Sequence, residues 1–260
     1  MGLELKKLTK TFHSDNGAAT TPVLDDISLS VKDGQFVSVI GPSGCGKTSL
    51  LRIISGLEHP TAGDVYIHDE KPKEQCDKVG YVFQEYALFP WRTVSQNIEF
   101  GLELKGLSKK ERRIEAVEYV HRFGMKGFED KYPNELSGGM RQRVAIARTL
   151  VNDPDIILMD EPFGSLDSQT RNHLQQFLLQ VWQQSKKTII FVTHNIDEAV
   201  FLSQTVIGFS RRPARIKLSL PINLSYPRDV TSDEFNLYRT QIITFLNGEN
   251  PERPDQEFTE

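Results

Sequence analysis

The sequence predicts an α/β fold built on a parallel-sheet core, with antiparallel strands near the N-terminus and an inserted helical segment. Three observations carry that prediction. Short apolar runs at Phe36–Ile40, Ile156–Met159 and Thr188–Val192 have the character of strands buried on both faces. Helical patterns lie between them, as parallel strands joined by crossovers require. Leu3 and Leu5, and then Ile27, Leu29 and Val31, instead alternate with polar residues, the period-two signature of half-buried antiparallel strands.

Between those first segments, Ser14–Pro22 is small, polar and Gly/Pro-bearing, and reads as a hairpin loop. Gly34 breaks the chain before the Phe36–Ile40 strand, and a helix is expected through Ser49–Ile54, ending at Gly56. Ser108 and Glu111 form a capping box ahead of an apolar stripe of Ile114, Val117, Val120 and Phe123 that stops at Gly124. Ser137 opens another helix, with Met140, Val144, Ala147 and Leu150 at helical spacing before Pro154. The helical subdomain is placed at about 90–152, and a further helix at 169–184. The pattern decays after Phe209. Residues 1–225 are read as one domain and 226–260 as a short C-terminal extension, partly disordered from the acidic, Pro-bearing stretch that begins at Glu249.

Composition narrows the class. The 260 residues are 38% hydrophobic and 25% charged, which is globular. Lys and Arg total 31 against 35 acidic residues, a net charge of -4, so no general basic surface advertises nucleic acid. No apolar run reaches the ~20 residues of a membrane span, and the opening residues lack a signal-peptide pattern. Cys45 and Cys76 make no disulfide framework. Secreted, membrane-spanning and collagenous classes are excluded, and the cytoplasm is the expected address.

Residues 41–48 read GPSGCGKT, the pattern G-x-x-x-x-G-K-[ST], between an apolar strand and a helix. Glycines let the backbone curl so that N–H groups converge on phosphate oxygens. Lys47 adds a point charge at the β- and γ-phosphates, Thr48 offers a hydroxyl to Mg²⁺, and the helix N-terminus favours the anion. Gly41, Pro42, Ser43, Gly44, Cys45, Gly46, Lys47, Thr48 and Ser49 are therefore the expected nucleotide contacts of a P-loop NTPase, with ATP and Mg²⁺ as cofactors. Inward N–H groups are expected to lower the Cys45 thiol pKa. Asp160 and Glu161 follow the Ile156–Met159 strand at its C-terminal end, where parallel sheets place ligands. Strand alternation should point them apart, with Asp160 on Mg²⁺ and Glu161 as the general base that polarises water. His194, past the Thr188–Val192 strand, would reach the γ-phosphate. Ser137 reads as an N-cap, and Gly138 and Gly139 bare N–H groups for a second anion site.

Two phosphate-gripping sites separated by a helical subdomain resemble the ATP-binding subunit of ABC transporters, over roughly residues 3–212. The resemblance implies the ABC ATPase fold. It also implies that the Leu136–Gly139 signature (LSGG) of one subunit closes over ATP held by the other. Phe12 then matches the adenine-stacking aromatic, Gln84 the Q-loop glutamine that senses Mg²⁺ and the γ-phosphate, Ser165–Asp167 the D-loop, and His194 the switch histidine. Met140 replaces the usual Gln of LSGGQ, which removes one side-chain contact and leaves the N–H donors. Phe12 replaces the frequent Tyr.

The SGGM variant, Phe89–Val94, the EPFGSLDSQTR run from Glu161 and Arg211–Pro213 look like the nitrate, sulfonate, taurine and bicarbonate import branch. Leu88, Phe89, Pro90 and Trp91 read either as core or as one wall of a groove for a permease helix. The implied partners are a transmembrane permease, a second ATP-binding subunit and an external substrate-binding protein, with the chain peripheral at the cytoplasmic membrane face and no nucleic acid involved. The alternative is a soluble ABC-type ATPase of DNA repair, chromosome organisation or translation. Such chains carry coiled coils, zinc modules or two cassettes, which this sequence does not show. The stretch after Arg212 is too short for the regulatory domain of some sugar and polyamine importers.

Overall fold

In the computed structural model, which describes residues 2–13, 20–72 and 77–249, the elements are arranged in one order along the chain. They are β1 (Leu3–His13), β2 (Thr20–Val31), β3 (Phe36–Ile40), α1 (Lys47–Ile54), β4 (Ala62–Ile67), β5 (Val79–Val82), α2 (Val94–Ile98), α3 (Phe100–Leu104) and α4 (Lys109–Arg122). After a 3-10 turn at Pro133–Glu135 come α5 (Gly138–Leu150), β6 (Ile156–Asp160), α6 (Ser168–Ser185), β7 (Thr188–Val192), α7 (Ile196–Leu202), β8 (Thr205–Phe209), β9 (Ile216–Pro221) and α8 (Asp233–Gly248). The chain forms two compact units, one of Met1–Gln75 with Thr188–Glu260, the other of Cys76–Lys187.

In the first unit, alternation puts Leu3, Leu5, Ile27 and Val31 in the core. β1 pairs antiparallel with both β2 and β4, in the order β2-β1-β4, so Leu3 lies between Val31 and Ile67. The third strand, β4, was not expected because only Val65 and Ile67 of its six residues are buried. The second sheet of this unit centres on β3, which pairs parallel with β7 on one side and β8 on the other. β3 and β7 are buried along their whole length, the burial that their apolar runs predict.

The pattern does not end at Phe209. β9 adds antiparallel to β8 with Ile216, Leu218 and Leu220 half-buried, and α8 buries Phe235 and Ile242. Those two side chains join Ile40, Ala199, Val200 and Val206 in one cluster. Residues 226–248 are thus part of this unit's core and not an appendage. Exposed Leu237 and Ile243 blurred the stripe of α8, and an edge strand covered on one face gives only a weak alternation. Thr20–Pro22 belong to β2 and not to a loop. The rest of the expected hairpin loop, Cys76 and the tail past Glu249 lie outside the described residues.

The second unit holds the expected helical segment of about 90–152 together with the parallel pair β5–β6. The α4 capping box is present in both directions, Ser108 Oγ accepting from Glu111 N–H and Glu111 from Ser108 N–H. Its inward face is Ala116, Val120 and Phe123, while Ile114 is 58% exposed, against expectation. A 3.6-residue period explains this: Ala116, Val120 and Phe123 are spaced i, i+4, i+7, and Ile114 lies off that stripe. α5 buries Val144, Ala147 and Leu150 as its spacing predicts.

Candidate functional site

The first unit builds a glycine-rich loop from its central strand. β3 is apolar enough to be buried, and the chain leaves it through Gly41–Gly46 into α1. Gly46, with φ +124, caps α1 without any side-chain hydrogen bond. A Cβ there would lie 2.8 Å from Val23 and 2.9 Å from Leu24 on β2, so a glycine is required on two counts. The first turn of α1 contains no acid, and its N–H groups and dipole favour an anion. Lys47 is only 6% exposed, and its Nζ donates to the loop carbonyls of Gly41 at 2.9 Å and Pro42 at 3.2 Å. The cation is held at the loop while Thr48 stands exposed beside it.

Cys45 corrects the sequence expectation. It is 2% exposed, and burial pushes its thiol pKa up, outweighing the opposing effects of Lys47 and the loop N–H groups.

His194 follows β7, and the parallel register that places Val39 beside Val192 puts the C-terminal ends of β3 and β7 next to each other. The histidine is exposed in a well-built turn. Asn195 Oδ1 caps α7 by accepting from Asp197 and Glu198 N–H, and buried Thr193 donates its hydroxyl to Glu198. Phe12, at the far end of β1, pairs with Thr21, two residues from Val23. Its ring is half open to solvent, with Lys10 Nζ 4.6 Å from the centroid.

In the second unit, β5 and β6 run parallel with Val82 beside Met159, so the chain after β5 and the carboxylates after β6 share one edge. Asp160 is buried and accepts from Tyr81 Oη at 3.1 Å. Glu161 is not an alternating strand residue. Its φ of +45 takes the backbone out of the strand, and Gly164 N–H donates to its carbonyl at 3.1 Å. Gln84 is exposed in the segment beyond β5. Arg148 on α5 pins that segment, donating to the carbonyls of Ala87 at 2.6 Å and Tyr86 at 3.2 Å.

Ser137 caps α5, its Oγ accepting from Met140 N–H at 3.3 Å. Gly139 has a packing reason of its own, because a Cβ there would lie 2.6 Å from Thr170 on α6. Tyr86 Oη lies 3.0 Å from Ser165 Oγ, and a Cβ on Gly138 would stand 3.1 Å from both Tyr86 Oη and Leu166. The segments after Gln84, around Ser137 and around Ser165 therefore meet within this unit. Sequence reasoning missed Tyr81, Tyr86 and Arg148, since single aromatic and basic residues carry no spacing signal. Phe89 meets Phe100 edge to face and approaches Trp91, which is 71% exposed.

Among the described residues no group of three or more His, Cys, Asp or Glu side chains could hold a metal by itself. No helix among them is long and apolar enough to cross a membrane.

Residues 24–164 match the ABC transporter family. An uncharacterized ABC transporter ATP-binding protein of Methanocaldococcus jannaschii is 53% identical over 247 residues, covering 95% of this chain and 92% of that protein. The aliphatic sulfonates import ATP-binding protein SsuB of Bacillus thuringiensis subsp. konkukian is 46% identical over 243 residues, with 94% and 95% covered. Among solved structures, a dimeric ATP-binding cassette in a post-hydrolysis state with ADP and phosphate matches with a TM-score of 0.75. It is 36% identical, over 86% of this chain and 100% of that one.

Proposed function

Since the chain belongs to the ABC transporter family as an ATP-binding subunit, we propose that it hydrolyses ATP to energise import through a membrane permease, with aliphatic sulfonates as the transported class. Similarity to the sulfonate import subunit along nearly the whole of both chains is the observation that carries the substrate class. Nitrate and bicarbonate are the competing solutes, and taurine falls within the sulfonate class. The chain works at the cytoplasmic face of the membrane, peripherally, with a permease and an external substrate-binding protein.

The cradle supports the binding step. Lys47 exchanges its two carbonyl partners for β- and γ-phosphate oxygens, and the Gly41–Ser49 backbone offers N–H donors to the rest. Phe12 stacks on adenine. Mg²⁺ fits the donor set. Thr48 offers a hydroxyl and Asp160 a carboxylate, hard oxygen donors of which an ion that keeps waters and phosphate oxygens needs only one or two. Thr48 and Asp160 would hold it, with Gln84 as a further ligand, and it would neutralise phosphate charge.

Glu161 accepts the proton of the attacking water as the bond from the γ-phosphorus to the ADP oxygen breaks. His194 orients the γ-phosphate and that water. Ser137, Gly138 and Gly139 act on ATP bound by a second copy or a related subunit, a reading supported by the dimeric relative.

The test is Glu161→Gln in the full chain, reconstituted with its permease and binding protein in vesicles. Hydrolysis and alkanesulfonate uptake should fall at least ~10²-fold while ATP binding survives. Unchanged hydrolysis would remove Glu161 from the reaction. Uptake that nitrate or bicarbonate inhibits and alkanesulfonates do not would sink the substrate class.

A further inference from the structure

The turn between β8 and β9 touches the phosphate loop, and no step of ATP hydrolysis as assigned to Glu161 and His194 uses it. Arg212, in that turn, donates from Nε to the Gly44 carbonyl at 3.1 Å and from Nη2 to the same oxygen. The Gly44–Cys45 peptide is held on its other side too, because Cys45 N–H donates to Pro42 O at 3.2 Å. That bond closes a four-residue turn with Gly44 in third place at φ +73, the position where a left-handed residue is needed. Arg212 thus grips the carbonyl end of the peptide whose N–H end closes the loop.

The turn that carries Arg212 is itself anchored. Ala214 is buried, donates its N–H to Val23 O at 2.8 Å, and accepts from Asp25 N–H at 2.9 Å. Arg215 pairs with Asp25 at 2.6 Å. Val23 is also the side chain that walls Gly46. One segment of β2 therefore backs both the end of the phosphate loop and the base of the arginine that holds its middle.

We propose that Arg212 is a positioning residue of the nucleotide site, fixing the Gly44–Cys45 peptide and adding a positive charge to the outer side of the loop. Both effects favour a bound polyphosphate, and neither touches the attacking water. The proposal rests on the reading of Gly41–Ser49 as the ATP cradle.

The test uses the full-length chain and compares Arg212→Ala, Arg212→Lys and Lys47→Ala by ATP binding, steady-state ATPase, thermal melting and amide exchange. Arg212→Ala should raise Kd and KM for ATP by roughly 3- to 10-fold, the worth of one net hydrogen bond. The same variant should leave kcat within about twofold, the split expected for lost uniform binding. Exchange at the Cys45 amide should quicken while the melting temperature falls by no more than about 2–4 °C, the share of one net hydrogen bond. Arg212→Lys, which keeps the charge and one donor, should recover most of the affinity. Unchanged affinity in Arg212→Ala overturns the proposal. So does a loss of affinity that tracks a lowered melting temperature and is not recovered by lysine. ATP binding that survives in Lys47→Ala overturns the cradle itself, and the clamp with it. Binding lost in Lys47→Ala and kept in Arg212→Ala overturns the clamp alone.

Discussion

Helix α8 offers a test of the fold that bears on the site. Phe235 is fully buried against a cluster that includes Ile40, the last residue of β3 before the phosphate loop. Further along the helix, Phe245 lies over Gly208, where a Cβ would come within 2.5 Å of its ring, and Gly208 is the β8 partner of Ile40. Phe235→Ala deletes a side chain that buries about 150–250 Å² and leaves a cavity in the cluster that contains Ile40. Transfer and cavity terms together cost roughly 3–5 kcal/mol for a buried Phe→Ala change. At about 2–4 °C per kcal/mol for domains of 150–250 residues, the melting temperature should fall by roughly 6–20 °C. Leu237, on the same helix and 63% exposed, is the internal control. Leu237→Ala should stay within about 0.5 kcal/mol, as surface changes do. Calorimetry or thermal circular dichroism reads both. A shift under about 2 °C for Phe235→Ala, or equal shifts for the two variants, would return α8 to the status of an appendage.

Trp91→Glu should abolish permease-coupled transport while ATP binding and melting temperature hold, because the ring is exposed, and a loss of folding would show Trp91 to be core. Cys45 is buried with a raised thiol pKa, so its thiolate fraction at neutral pH lies below that of an ordinary cysteine. Maleimide labelling at neutral pH should be slow and quicken as pH rises past the usual thiol range, and rapid labelling at neutral pH would refute the burial. Glu161→Gln should accumulate as an ATP-bound dimer, because unhydrolysed ATP stays gripped between two copies, and adding Ser137→Arg should release it. A dimer that persists on size exclusion would contradict the assignment of Ser137 across the subunit interface.

What the sequence made legible is what a local pattern can encode. β3, β6 and β7 declare themselves because apolar runs buried on both faces need no knowledge of their neighbours. The phosphate loop declares itself because its chemistry lies in consecutive residues. β4, β9 and α8 did not, since each buries only part of its surface and depends on partners distant in sequence. Cys45 was misjudged for a related reason. Proximity to N–H donors could be read from the motif, whereas the burial by surrounding structure that dominates its pKa could not. Arg212 reaches a carbonyl 168 positions away, beyond any spacing rule.

Glu161 shows how the fold would set the chemistry proposed for one residue. A left-handed backbone costs a non-glycine residue about 1–2 kcal/mol. Elsewhere the chain uses it where geometry demands a sharp change of course, as at Lys186, which caps α6, and at His68 and Asp69 in the turn after β4. A residue selected only to leave β6 could be glycine at no such cost. At position 161 the strain is held by the next turn of chain, because Gly164 N–H closes onto the Glu161 carbonyl and Phe163 is fully buried beside it. The backbone, and not a strand alternation, therefore sets where the carboxylate leaves the chain. Substitution by glycine would relieve that strain along with removing the acid, mixing a stability effect into the kinetics. Glutamine keeps the Cβ and the length of the side chain, and removes the carboxylate's charge together with its capacity to take a proton. A large fall in hydrolysis with intact ATP binding in that variant is therefore attributable to the lost carboxylate and not to the backbone at this position.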